Sequence, residues 1–142
     1  MDFRLDESIG YLLNRTSIRL KNKLLRSFKP YNMTPEQWAV LKGLSEKEGI
    51  SPKEIAELTS KDQPSTVRIL EKLEKKGFIT RRVNREDTRS YLLFITAAGR
   101  ELVEELIPLA KEVLDTALQG IEKEKIDEFK KMLNVIYRNV DG

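Results

Sequence analysis

The residues best equipped for chemistry in this sequence lie between positions 62 and 90, and their types suit binding more than reaction. The 142-residue chain contains no Cys and no His, which removes thiolate nucleophiles, imidazole bases, disulfides and the usual zinc ligands together. The remaining Asp, Glu, Ser and Lys form no titratable constellation of the kind an enzyme needs. No catalytic residue, metal site or cofactor is therefore expected, and the chain does not read as an enzyme. What remains is a cluster of polar recognition groups: Gln63, Pro64, Ser65, Thr66 and Arg68, followed by Arg81, Arg82, Arg85 and Arg89 around Asp87. In a major groove Gln pairs with adenine, Arg with guanine, and Ser or Thr with bases or phosphates. A narrow minor groove attracts guanidinium groups by its negative potential. Asp87, two positions before Arg89, could hold that guanidinium in one orientation, exchanging some charge for preorganisation.

Charge is distributed in the same sense. The chain carries +3 overall. Residues 61 to 91 alone carry 9 basic and 5 acidic groups, more positive charge than the whole protein, whereas residues 92 to 142 are net acidic with 7 and 10. A local basic footprint of this kind is what polyanion binding requires, although a solvated Lys/Glu surface reads the same way from charge alone.

The elements that would position these groups are marked by their start signals. Leu5, Ile9, Leu12, Leu13, Leu20, Leu24 and Phe28 recur at three- to four-residue spacing, which predicts one long amphipathic helix ended by Pro30. Thr34, Pro35 and Gln37 form a capping box, with Met33 and Trp38 as a hydrophobic staple. Ser51, Pro52 and Glu54 repeat the pattern, with Ile50 and Ile55 as the second staple. A third start follows, with Asp62 or Gln63 as cap and Pro64 in the first turn, for a helix running to Gly77. In that helix Val67, Leu70 and Leu73 face the core while Ser65, Thr66, Arg68, Lys72 and Lys75 fall on other faces. Two short helices joined by a three-residue turn make a helix-turn-helix, whose second helix places its N-terminal residues on base edges. The same cap residues also serve simply to start a helix. Phe78 to Val83 and Tyr91 to Ile95 then read as a hairpin around a polar tip, Asn84 to Ser90. Thr96 caps a long helix that Pro108 should kink and Gly120 should end. A final helix carries the stripe Ile126, Phe129, Leu133, Ile136 and Val140.

Taken together, several of these segments resemble the MarR (multiple antibiotic resistance regulator) family. The likeness is carried by Ile55, Ala56, Leu58, the run Ser65-Thr66-Val67, then Leu70 to Ile79, Arg81-Arg82, Asp87-Thr88-Arg89 and Ile95-Thr96-Ala97-Ala98-Gly99. The resemblance covers essentially the whole chain. It implies a mainly α fold with a small β-hairpin wing: a winged helix-turn-helix with long N- and C-terminal dimerisation helices. It implies a homodimeric regulator of transcription, a repressor or an activator, on pseudo-palindromic operators, often released by a small ligand. Gln63, Ser65, Thr66 and Arg68 match the family's recognition-helix positions, Arg89 its minor-groove wing arginine, and Asp87 the acidic residue beside it. The departure is the missing Cys and His, which excludes cysteine-oxidation and histidine-zinc switches and leaves a small organic ligand or none.

One domain, 1–142, is expected, with 1–29 and 97–142 as dimerisation helices and 33–96 as the winged helix-turn-helix DNA-binding lobe. The terminal helices are apolar along more than a chain of this size readily covers, so two copies pairing through them is the economical arrangement. The DNA-binding set is Gln63, Pro64, Ser65, Thr66, Arg68, Arg85, Asp87 and Arg89. The ligand set, suited to a phenolic carboxylate, is Tyr11, Arg15, Tyr31 and Trp38, although Trp38 is equally accounted for as a core residue. The absence of a run of about 18 uncharged apolar residues, and acidic residues near the N-terminus, point to a cytoplasmic protein with no membrane partner. The competing reading is a winged-helix protein-protein interaction module that does not bind DNA.

Overall fold

The computed structural model describes residues 3–140. The predicted outer bounds at 1 and 142 include residues 1–2 and 141–142, which lie outside the described residues. The expected first helix is divided. Leu5–Glu7 form a 3-10 turn, Ser8 is extended, and α1 runs from Ile9 to Phe28. Pro30 ends it as expected, inside a second 3-10 turn, Lys29–Tyr31, closed by Asn32 in the left-handed region at φ 54°.

The capping boxes form as their sequences imply. Thr34 accepts from the Gln37 amide at 3.1 Å and Gln37 returns its Oε1 to the Thr34 amide at 3.3 Å, starting α2 (Pro35–Glu46). Ser51 and Glu54 do the same at 3.2 and 3.3 Å for α3 (Pro52–Leu58). Each box satisfies two amides that a helix start leaves orphaned. Of the two residues offered as cap for the third start, Asp62 takes the position, and α4 runs Gln63–Lys75. Gly77 closes it at φ 83°, a conformation that costs any residue with a Cβ.

β1 (Ile79–Val83) and β2 (Tyr91–Ile95) pair antiparallel with Ile79 opposite Ile95 and Val83 opposite Tyr91. A bridge not legible in the sequence joins Ile50 to Leu93, with amide–carbonyl bonds of 2.8 Å in both directions between Leu93 and the Gly49–Ile50 segment. It anchors the base of the hairpin to the α2–α3 connection. Glu48 reinforces the junction, accepting from the Ile95 amide at 3.0 Å and pairing with Arg100 at 2.8 Å.

α5 (Ala97–Ala117) is capped by Thr96, whose Oγ1 accepts from the Gly99 amide. It continues as one helix through Pro108. α6 (Lys123–Asn139) follows Gly120, whose φ is 84°. The core gathers Phe28, Met33, Val40, Leu41, Leu44, Ile55, Leu70, Leu73, Leu93 and Leu106 from α1, α2, α3, α4, β2 and α5. α2 is central, packing on α4 and α5, and α1 lies against α5. The terminal elements differ: α6 buries no residue, and Phe129, Met132, Val135, Ile136 and Tyr137 stay exposed, as do Leu5, Ile9 and Ile18 near the other end.

Candidate nucleic-acid interface

Asp62 organises the start of α4. Its carboxylate accepts from the Ser65 amide at 2.8 Å and from Ser65 Oγ at 2.9 Å, and its carbonyl accepts from the Thr66 amide at 3.1 Å and Thr66 Oγ1 at 2.8 Å. The two bonds from Ser65 hold the Asp62 carboxyl below its ordinary pKa, because both favour the ionised form. Arg68 Nη2 in turn donates to Ser65 Oγ at 3.4 Å. Gln63, Pro64 and Arg68 are exposed and Ser65 is half-buried.

One expectation changes here. Thr66 was placed among the exposed recognition groups, but it is fully buried and its hydroxyl is spent on the Asp62 carbonyl. A helix turns about 100° per residue, so the position following Ser65 and preceding Arg68 by two points inward beside Leu70 and Leu73. The amide hydrogens at this helix start are also largely taken: Pro64 has none, and Ser65 and Thr66 donate to Asp62. A phosphate there would meet a carboxylate.

The arginines separate into two pairs. Arg81 Nε and Nη2 donate to the two Glu74 carboxylate oxygens at 2.9 and 2.7 Å, and its guanidinium lies 4.4 Å from the centre of the Tyr91 ring. Glu74 is held below its ordinary pKa by that bond, and Arg81 is raised by the same partner. Arg82 lies 4.3 Å over Phe94. Arg81 therefore ties the hairpin to α4, Arg82 lies across the hairpin on Phe94 of β2, and the extended tip carries Arg85 and Arg89. There Asp87 Oδ1 accepts from the Arg89 amide at 3.1 Å and from its Nε at 3.3 Å, while the Arg89 side chain stays 91% exposed. An ordered turn presents a free guanidinium face: Asn84 Oδ1 accepts from the Glu86 amide, and the Asp87 carbonyl accepts from the Ser90 amide.

The arrangement is thus a helix-turn-helix, α3 and α4, followed by an arginine-bearing hairpin. Residues 33–91 match the profile of the MarR family. The chain carries a MarR family domain. Beyond that segment, it is 28% identical over 128 residues to an HTH-type transcriptional repressor of Mycobacterium tuberculosis, covering 90% of this chain and 92% of the relative. Among solved structures it is similar to MepR of S. aureus in complex with DNA, at 25% identity and TM-score 0.86, covering 94% and 98% of the two chains. It is likewise similar to the transcriptional repressor CouR bound to a 23-mer DNA duplex, at 28% identity and TM-score 0.81, covering 96% and 99%. The MarR lobe thus sits inside a likeness that extends over nearly the whole chain.

The residues expected to line a ligand site do not converge within one protomer. Arg15 stacks 5.5 Å from the centre of the Tyr11 ring on the first half of α1. Trp38 packs beside Phe28 at the other end, its ring 5.6 Å away, and Tyr31 follows in the 3-10 turn. Tyr11 and Phe28 are separated by most of the length of α1, roughly 25 Å at about 1.5 Å per residue. An open groove along α1 takes in Arg15 with Ile18, Arg19, Asn22 and Arg26, and none of the three aromatic residues.

Sequence reasoning missed two connections. Lys76 reaches from the end of α4 to the Asn32 carbonyl at 2.5 Å and to Gln37 Oε1 at 3.2 Å, and partial burial lowers its pKa. The Glu74–Arg81 clamp was equally hidden. Both join residues whose partners are distant in sequence, and no local signal marks them.

Proposed function

We propose that this protein is a sequence-specific DNA-binding regulator of transcription that acts as a homodimeric repressor on a pseudo-palindromic operator. The observation that carries the reading is the pairing of an exposed recognition-helix start, Gln63 to Arg68, with a wing whose Arg89 is held by Asp87 yet open to solvent, inside a segment that matches the MarR family. α4 enters the major groove with Gln63, Pro64, Ser65 and Arg68, and the wing follows the adjacent minor groove with Arg85 and Arg89. The DNA complexes of MepR and CouR, proteins similar to this chain over nearly its full length, support the same partner.

Residues 33–96 form the DNA-binding lobe, and α1, α5 and α6 supply the dimer contacts. The exposed apolar faces of α6 and of the N-terminal segment support this division, because a monomer leaves them in water. A two-fold dimer places its half-sites about one helical turn, roughly 34 Å, apart. The work of the protein is binding and not catalysis, and it takes place in the cytoplasm, where the operator is. Among the described residues no helix is long and apolar enough to cross a membrane. Release by a small organic ligand would use a cavity completed by the second copy, since Tyr11 and Arg15 lie far from Tyr31 and Trp38 in one chain.

Selection of duplexes from a random library tests the reading. Enriched sequences should contain an inverted repeat, and binding to them should weaken steeply as salt rises, because each phosphate contact releases counterions. Failure to enrich any sequence above the starting pool would favour a protein-interaction role instead.

A further inference from the structure

The recognition helix carries a negative charge at the end that faces DNA in the reading above, and its hydrogen bonds lead to Arg68. We propose that Asp62 is a specificity-determining positioning residue: through Ser65 it fixes the guanidinium of Arg68 for base readout, and it denies the helix start to phosphate. This rests on the DNA-binding reading of α4.

The geometry is a three-member chain. The Ser65 hydroxyl hydrogen is committed to Asp62 Oδ2 at 2.9 Å, so the Ser65 oxygen presents its lone pairs outward, and Arg68 Nη2 donates to them at 3.4 Å. A neutral cap would leave the hydroxyl free to rotate, and the arginine would lose its directed acceptor. Asp62 is itself immobilised, because its carbonyl accepts both the amide and the hydroxyl of buried Thr66. Capping alone does not require a carboxylate, since Asn and Ser cap about as well. What the carboxylate adds is a second acceptor oxygen for the Ser65 hydroxyl and a fixed charge. That charge opposes phosphate at the one place where a helix start would otherwise attract it. Non-specific binding is built from phosphate contacts, whereas discrimination comes from base edges. A group that weakens the first while aligning an arginine for the second raises the ratio between them.

The test is a double-mutant cycle read on two duplexes, one selected from a random library by the unaltered protein and one with the same composition scrambled. Asp62→Asn keeps the cap, since its amide oxygen can still accept from the Ser65 amide, but offers no second acceptor. Affinity for the scrambled duplex should rise severalfold, and the ratio of selected to scrambled affinity should fall about tenfold, the size of a compromised arginine–base pair. In an Arg68→Ala background the same change should leave the ratio unmoved. Asp62→Ser, which also caps without charge, should reproduce the effect, and thermal melts of both variants exclude misfolding as the cause. A ratio that is intact in Asp62→Asn and Asp62→Ser, with both affinities raised equally, overturns the proposal while the DNA-binding reading stands. If Arg68→Ala alone leaves the ratio unchanged, Arg68 reads no base, and the underlying assignment fails with it.

Discussion

Gly99 packs tightly where the base of the wing meets α5, and replacing it with alanine should be costly. A Cβ built there would lie 2.3 Å from the Phe78 carbonyl oxygen and 2.7 Å from Ile95 Cγ1, where ordinary contact begins near 3.4 Å, so about 1 Å of backbone movement is required. The obstructing atom cannot swing aside. The Phe78 carbonyl accepts from the Thr96 amide at 3.0 Å and the Phe78 amide donates to the Leu73 carbonyl at 3.0 Å, which ties the displacement to the base of the wing and the end of α4. Overpacking of this kind costs about 1–3 kcal/mol, and a weakened backbone hydrogen bond adds about 1. The expected loss is about 2–4 kcal/mol, or roughly 8–16 °C in melting midpoint at about 4 °C per kcal/mol for a chain of this size. Melts are to be compared at one protein concentration, because any self-association couples to stability. Gly10→Ala is the control: in the first turn of α1 its Cβ would meet only Ser8 Oγ at 3.8 Å, and alanine there should be neutral or slightly stabilising. A Gly99→Ala midpoint within about 2 °C of the parent would refute the packing argument.

Other expectations concern the wing, the clamp and the dimer. Arg89→Ala should weaken binding to a selected operator about tenfold and reduce the logarithmic salt slope by about one, measured by fluorescence anisotropy across salt; an unchanged slope would remove the wing from the interface. Because Arg81 holds Glu74 below its ordinary carboxylate pKa, that pair's contribution to stability is complete above about pH 4.5 and is lost as pH falls through the lower folded value. The melting difference between the parent and Glu74→Gln should accordingly shrink on acidification from neutral pH, and a difference constant with pH would contradict the clamp. Phe129→Asp combined with Ile136→Asp, on the exposed face of α6, should give a folded monomer by sedimentation whose operator affinity falls at least tenfold as the two half-sites are bound independently. A variant that still sediments as a dimer would place the interface elsewhere.

Much of the lobe is written locally. The capping boxes at Thr34 and Ser51 involve residues three apart, so their presence in the sequence is nearly sufficient for their presence in the fold. The hairpin and the Asp87–Arg89 pair are equally short-range. The ends of the first helix were less legible, because the apolar spacing continues through Leu5 while the backbone breaks at Ser8. Thr66 shows the limit of residue type as a guide. A threonine between Ser65 and Val67, in a run with Gln63 and Arg68, suggests a recognition group, but helical phase turns it into the core, where its hydroxyl is satisfied by the carbonyl four residues back. The four proposed ligand residues lie apart within the chain for a related reason, since aromatic and cationic types say nothing about distance along a helix axis.

By itself, then, the sequence determines the helix starts, the hairpin, the arginine-rich tip and, through the absence of Cys and His, the kinds of switch the protein can lack or hold. Each depends on neighbours within a few residues or on composition alone. The tertiary structure decided which arginines the packing engages, since Glu74 and Tyr91 hold Arg81 and Phe94 lies under Arg82. It also revealed that Ile50 pairs with Leu93, that Lys76 spans to Asn32, and that α6 buries none of its residues against the rest of the described chain. These outcomes depend on contacts between residues distant in sequence, whose geometry exists only once the helices have packed.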